Sequence, residues 1–148
     1  MDETPEPIGL FVTRTSKHLS RAFEAALVDA GASLATWLVL ASLKGGLYRS
    51  QREIAEAIGV EGPTLTHHLN RMESTGLVTR TRNPQNRRVH DVDLTPEGER
   101  VFLSLVGVVR DFDRRLQAGF SDRELASLRA LLQRLGANAV FDENALRH

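Results

Sequence analysis

The stretch "RTRNPQNRRVHDVDLT", residues 80–95, decides the fold. Asn83, Pro84 and Asn86 have the chemistry of a tight turn, with Arg80 and Arg82 before it and Arg87 and Arg88 directly after it. The flanking segments "LVTRTR" and "VHDVDL" are short, β-branched and alternating, so residues 77–94 read as a β-hairpin. A hairpin of this size is not stable alone and must pack on neighbouring helices.

Those helices are legible on both sides. In "SQREIAEAIGV", Ser50 and Glu53 have capping-box spacing, Ile54, Ala55 and Ile58 form one apolar face, and Gly59 suits a left-handed turn. In "EGPTLTHHLNRMESTGL", Pro63 suits a first helical turn, Leu65, Leu69 and Met72 recur at i, i+4 and i+7, and Gly76 ends the helix. Two short helices joined by a tight glycine turn make a helix-turn-helix. Upstream, residues 8–30 carry Phe11, Leu19, Phe23 and Leu27 on one stripe, and a second helix from about Ser33 carries Leu34, Trp37, Leu38, Leu40 and Ala41. Downstream, Thr95 and Pro96 open a long helix bearing Val101, Phe102, Leu105, Val108, Val109, Phe112 and Leu116. Ser121 and Glu124 then cap a last helix with Leu125, Leu128, Leu131, Leu132 and Leu135.

The expected class is mainly α with a small β-hairpin. Residues 1–7 are expected as a disordered lead-in, 32–98 as a winged helix-turn-helix, and 8–31 with 99–148 as a helical dimerisation region. The apolar rows on the first and last two helices exceed what one small winged helix can cover, which predicts a homodimer.

The chain has 148 residues and no net charge, but the charge is segregated. Between His67 and His90 stand five arginines (Arg71, Arg80, Arg82, Arg87, Arg88) against one acid, Glu73, a local balance of +4. Such a patch attracts a polyanion whatever the total. The absence of cysteine excludes disulfides, thiolate metal sites and a cysteine nucleophile. "MDETPEP" lacks the basic and apolar parts of a signal peptide, and no apolar run approaches ~20 residues, so a soluble cytoplasmic protein with no membrane partner is expected. No phosphate-binding glycine loop, His-Glu-x-x-His or nucleophile elbow occurs, and Asp111 and Asp113 lie on different faces of their helix, so an enzyme is not expected, nor a cofactor.

Rotating 100° per residue places Thr64, His67, Asn70 and Arg71 opposite the apolar face, with Thr66 and His68 on its flanks. All six side chains form hydrogen bonds, as a helix in a major groove requires. A solvated surface would look the same in isolation. The basic hairpin beside it favours DNA, because Arg82, Arg87 and Arg88 at its tip would displace counterions from phosphates or enter a narrow minor groove. The alternative for that tip is a loop whose arginines pair with Asp91 and Asp93.

From Ser50 to Gly98 the sequence resembles the MarR family of winged-helix transcription regulators, through "LTHHLNRMESTGLVTR" and "NRRVHDVDLTPEG". Arg88, Val92, Leu94 and Thr95 match the family's wing pattern, whereas Asn86 stands where aspartate is usual. His67 replaces a frequent arginine and cannot make the bidentate fork to guanine. The resemblance implies a homodimer with interlocking N- and C-terminal helices, bound to double-stranded DNA at a pseudo-palindromic operator and acting as a repressor. It also implies a small aromatic or anionic effector near Trp37, with Arg14 or His18. Trp37 equally fits a core position, and Arg14 and His18 fit the surface or interface. "HDVD" offers His90, Asp91 and Asp93, but strand alternation separates the histidine from both acids, so no metal site is expected. A competing function is a winged-helix protein-interaction module gripping an acidic partner.

Overall fold

Capping chemistry sets the helix boundaries in this computed structural model, which describes residues 5–139. The order is α1 (Ile8–Asp29), α2 (Leu34–Lys44), α3 (Gln51–Ile58), α4 (Gly62–Ser74), β1 (Val78–Arg82), β2 (His90–Leu94), α5 (Pro96–Leu116) and α6 (Asp122–Asn138). The Ser33 hydroxyl caps α2 by accepting from the Thr36 amide at 3.1 Å. At α3 the Glu53 amide donates to the Ser50 hydroxyl at 3.2 Å, and the Glu53 carboxylate accepts from the Ser50 amide at 3.1 Å. Ser121 and Glu124 repeat this reciprocal cap on α6. Each such cap is worth about 1 kcal/mol. Gly59 closes α3 at φ 73°, a conformation that other residues adopt only with strain.

The core runs through all elements of the unit Met1–Phe112. Leu27 of α1, Val39 and Leu40 of α2, Ile54 of α3, Leu65 and Leu69 of α4, Val78 of β1, Val92 of β2 and Leu105 of α5 are all buried. Fully burying a side chain of this kind contributes about 1.5–3 kcal/mol. In the unit Asp113–His148, no side chain of α6 is buried. Of the segments expected to be disordered or dimerising, residues 1–4 and 140–148 lie outside the described residues. Among those described, no single helix is long and apolar enough to cross a membrane.

The hairpin pairs β1 with β2 antiparallel, with Val78 opposite Leu94, Arg80 opposite Val92 and Arg82 opposite His90. A short pairing that the sequence did not suggest adds to it. The Val92 amide donates to the Arg49 carbonyl at 2.8 Å, and Ser50 bridges Asp91, so the residues before α3 lie along β2. At the other end, the Thr95 amide donates to the Leu77 carbonyl at 3.1 Å. The Thr95 hydroxyl donates to the Gly76 carbonyl at 2.5 Å and accepts from the Gly98 amide at 3.0 Å. Thr95 thus closes the hairpin and caps α5 together.

Gly98 is buried on this junction. A Cβ there would fall on the Leu77 carbonyl oxygen, 3.0 Å from the carbon of the same carbonyl and 3.2 Å from Leu94 Cδ2. Backbone cannot yield as a side-chain tip can. Gly98→Ala is therefore expected to destabilise the protein by about 2 kcal/mol or more in chemical unfolding. Gly107→Ala, on the same helix with nothing within 4 Å, is expected to gain up to about 1 kcal/mol from helix propensity. Equal stabilities for the two variants would refute the close approach.

Candidate nucleic-acid interface

Helix α4 buries Leu65, Leu69 and Met72 and turns Thr64, Thr66, His67, Asn70 and Arg71 to the exterior, with His68 half-buried. The His67 and His68 rings lie 5.9 Å apart. The Thr66 hydroxyl donates back to the Gly62 carbonyl at 3.1 Å and receives Gln51 Nε2 at 3.5 Å, so α3 touches the first turns of α4 through polar atoms.

The wing tip is a set of asparagine turns. Asn83 Oδ1 accepts from the amides of Gln85 at 2.8 Å and Asn86 at 3.3 Å. Asn86 Oδ1 accepts from the Arg88 amide at 3.2 Å. The amide side chain therefore organises the backbone at the position where the resemblance led one to expect aspartate. Asp91 accepts from Asn83 Nδ2 at 3.1 Å. Among the described residues Arg82, Arg87 and Arg88 are exposed and form no ion pair, which leaves the pairing of tip arginines with Asp91 or Asp93 without support.

Arg80 behaves differently. Its side chain is only 18% exposed, and its Nη2 lies 3.1 Å from Glu73 Oε1 of α4. The same nitrogen donates to Asn70 Oδ1 at 2.6 Å, and the Arg80 amide donates to Glu73 Oε2 at 3.1 Å. The sequence counted Arg80 in the basic patch but gave it neither a DNA contact nor a partner. Position along the strand could have separated it: Arg80 follows buried Val78 on its face and needs a partner there, whereas Arg82, on that same face, is exposed at the strand's end.

A cleft of about 570 Å³ lies between α3, the start of α4 and the wing, lined among others by Gln51, Arg52, Glu56, Thr66, Arg88 and His90. Trp37, Arg14 and His18 are not in it. Trp37 packs against the core and stacks on Phe102, with centroids 5.6 Å apart and the rings 1° from parallel. Arg14 is exposed, paired with Glu6 at 2.8 Å and placed over the Phe11 ring at 5.8 Å, and His18 is exposed. Among the described residues, no hydrogen bond, ion pair or ring contact joins Trp37 to Arg14 or His18. Among the described residues, no group of three or more His, Asp or Glu side chains is gathered as a metal site would need.

The model of the MarR family matches residues 33–90. Among solved structures, the transcriptional regulator PA3341 is 32% identical, with 89% of this chain and 97% of that chain covered and a TM-score of 0.74. The transcriptional repressor CouR bound to a 23-mer DNA duplex is 26% identical, covering 92% and 96% of the two chains with a TM-score of 0.80. A mutant of MarR from E. coli complexed with operator DNA is 25% identical, covering 88% and 94% with a TM-score of 0.76.

The hydrogen bond from Arg80, aided by its charge, holds the Glu73 carboxyl below its ordinary range. A lowered carboxyl contributes stability that is complete above the unfolded-state value and lost as pH falls through the folded one. Native protein is thus expected to be more stable than Glu73→Gln at neutral pH, with the gap closing as the pH drops below the normal glutamate range. Unfolding curves of both proteins across that range provide the check. A gap independent of pH would refute an ionic link between α4 and the wing.

Proposed function

Because the chain belongs to the MarR family of winged-helix transcription regulators and not to a class of enzymes, we propose that two copies bind a pseudo-palindromic DNA operator as a homodimer and repress transcription until a small effector releases them. The observation that carries this reading is the polar face of α4 lying beside a wing whose Arg82, Arg87 and Arg88 have no acidic partner among the described residues. Thr64, Thr66, His67, His68, Asn70 and Arg71 would face base edges and phosphates in the major groove. The three arginines would hold the adjoining backbone or minor groove.

Dimerisation is supported by what each unit leaves uncovered. On α1, Ile8 is 61% and Phe11 49% exposed, and on α6 Leu131 is 53% exposed beside exposed Leu128 and Leu132. Single exposed apolar residues are ordinary, but rows at helical spacing indicate a partner surface. A two-fold partner would set two recognition helices one DNA turn apart. For the effector, the cleft of about 570 Å³ has the size of a small-molecule site, and Arg88 on its wall suits an aromatic or anionic compound that competes with DNA. The alternative site at Trp37, Arg14 and His18 has less support, because Trp37 is stacked on Phe102. The DNA-bound relatives favour DNA over an acidic protein partner.

Selection of bound duplexes from a random pool tests the reading, and a two-fold-symmetric consensus is expected. Arg88→Ala is expected to weaken binding to every sequence and to reduce the slope of log affinity against log salt by about 0.9, one phosphate contact. Intact affinity in Arg88→Ala at moderate salt would remove the wing from the interface.

A further inference from the structure

Arg80 reaches from β1 into the exposed face of α4, and its bonds fix the orientation of another side chain. A guanidinium carries only donors, so the atom of Asn70 that lies 2.6 Å from Arg80 Nη2 has to be the carbonyl oxygen. Exchanging the two ends of the Asn70 amide would set donor against donor. Glu73 holds the guanidinium from its other side, through Oε1 to Nη2 at 3.1 Å and Oε2 to Nε at 3.5 Å. Asn70 is itself exposed, so its Nδ2, with two N–H groups, is the end left for a ligand.

This changes what Asn70 can read. An asparagine free to use both ends recognises adenine with two bonds, the oxygen accepting from the N6 amino group and the nitrogen donating to N7. Arg80 takes one of the two lone pairs of the Asn70 oxygen and fixes which way the amide faces. The adenine fork would then require a second donor on an oxygen already held, whereas the Nδ2 donors remain available. Those donors match guanine O6 and N7, or thymine O4. At adenine they find a single acceptor, N7, beside an amino donor, and at cytosine only an amino donor. We propose that Arg80 is a specificity-determining positioning residue, which biases Asn70 to donate and so to read keto base edges, guanine or thymine, in preference to the amino edges of adenine and cytosine. The inference rests on the DNA-binding reading above.

The experiment is selection from a random duplex pool by the full-length native protein and four variants. Asn70→Ala identifies the base pair that this side chain reads, as the position where preference is lost. There the native protein is expected to select guanine or thymine. Arg80→Met, which keeps the length of the side chain and removes its donors, is expected to move the preference at that position toward adenine by about tenfold, the scale of one bidentate base contact. Arg80→Lys keeps a donor and should keep the native preference. The salt slope of Arg80→Met should equal the native slope, because Glu73 already neutralises Arg80. Asn70→Asp, a surface change that leaves the β1 residues in place, presents only an acceptor outward and should invert the preference to cytosine or adenine, which carries the test should Arg80→Met not fold.

An amino base at that position in the native consensus would overturn the proposal. So would uniform weakening by Arg80→Met with the preference unmoved, which would leave Arg80 a purely structural tether, or an Asn70→Ala consensus identical to the native one. Failure of the native protein to select any duplex is a different result, since it would remove the DNA-binding reading itself and this inference with it.

Discussion

The carbonyl of Leu77 is the point on which the placement of α4 against the hairpin and α5 depends. It accepts the Thr95 amide that closes the hairpin, and Gly98 of α5 presses against it with no room for a methyl group. One residue earlier, the Gly76 carbonyl accepts the Thr95 hydroxyl. The end of α4, the root of both strands and the first turn of α5 therefore meet within a few backbone atoms. Leu77 also donates its amide to the Met72 carbonyl at 2.8 Å, which ties the junction back to the last turn of α4. The backbone groups here are satisfied by one another, and a rearrangement would leave several without partners in a partly buried setting.

Given that junction, the arginines of the hairpin divide by strand position. Arg80 lies opposite buried Val92 and must find its partner within the protein, in Glu73 and Asn70. Arg82, Arg87 and Arg88 lie further out, where the asparagine turns hold the backbone without using any guanidinium. Surface charge alone does not distinguish these two groups. Distance along the hairpin does, because a charge held close to α4, as in half-buried Arg80, is desolvated unless paired, whereas an exposed one nearer the tip keeps its water until a polyanion replaces it.

Much of the fold was legible in the sequence, because local chemistry specified it. The Ser50–Glu53 and Ser121–Glu124 caps, the turn at Gly59 and the "NPQN" hairpin each act over a few residues, and each appears where the spacing placed it. The heptad-like rows of α4 and α5 likewise face the core at Leu65, Leu69 and Leu105. What escaped notice joins residues distant in sequence. The Arg49 carbonyl meeting the Val92 amide spans more than forty positions, and no periodicity announces it. The Asn70–Arg80–Glu73 cluster was closer to hand, but its signal was a single charged residue on the inner face of a strand, masked by the surrounding run of arginines. The stack of Trp37 on Phe102 shows the same limit, since an aromatic at helical spacing suits a core or a cavity equally until its neighbour is known.

The same division governs what a second copy can and cannot alter. The exposed apolar side chains of α1 and of α6 would need a partner surface for burial, so in the proposed dimer they are the residues that would respond to association. Helix α4 and the hairpin would not, because their mutual placement is set inside one chain by the Leu77 junction and the Glu73–Arg80 pair. In the proposed dimer, association would therefore fix the separation and symmetry of two heads already formed, while the chemistry of each head would belong to the single chain. A site read by such a pair would be constrained in two independent ways: its half-site bases would answer to α4 and the wing, and its half-site spacing to the apolar surfaces proposed to hold the copies together.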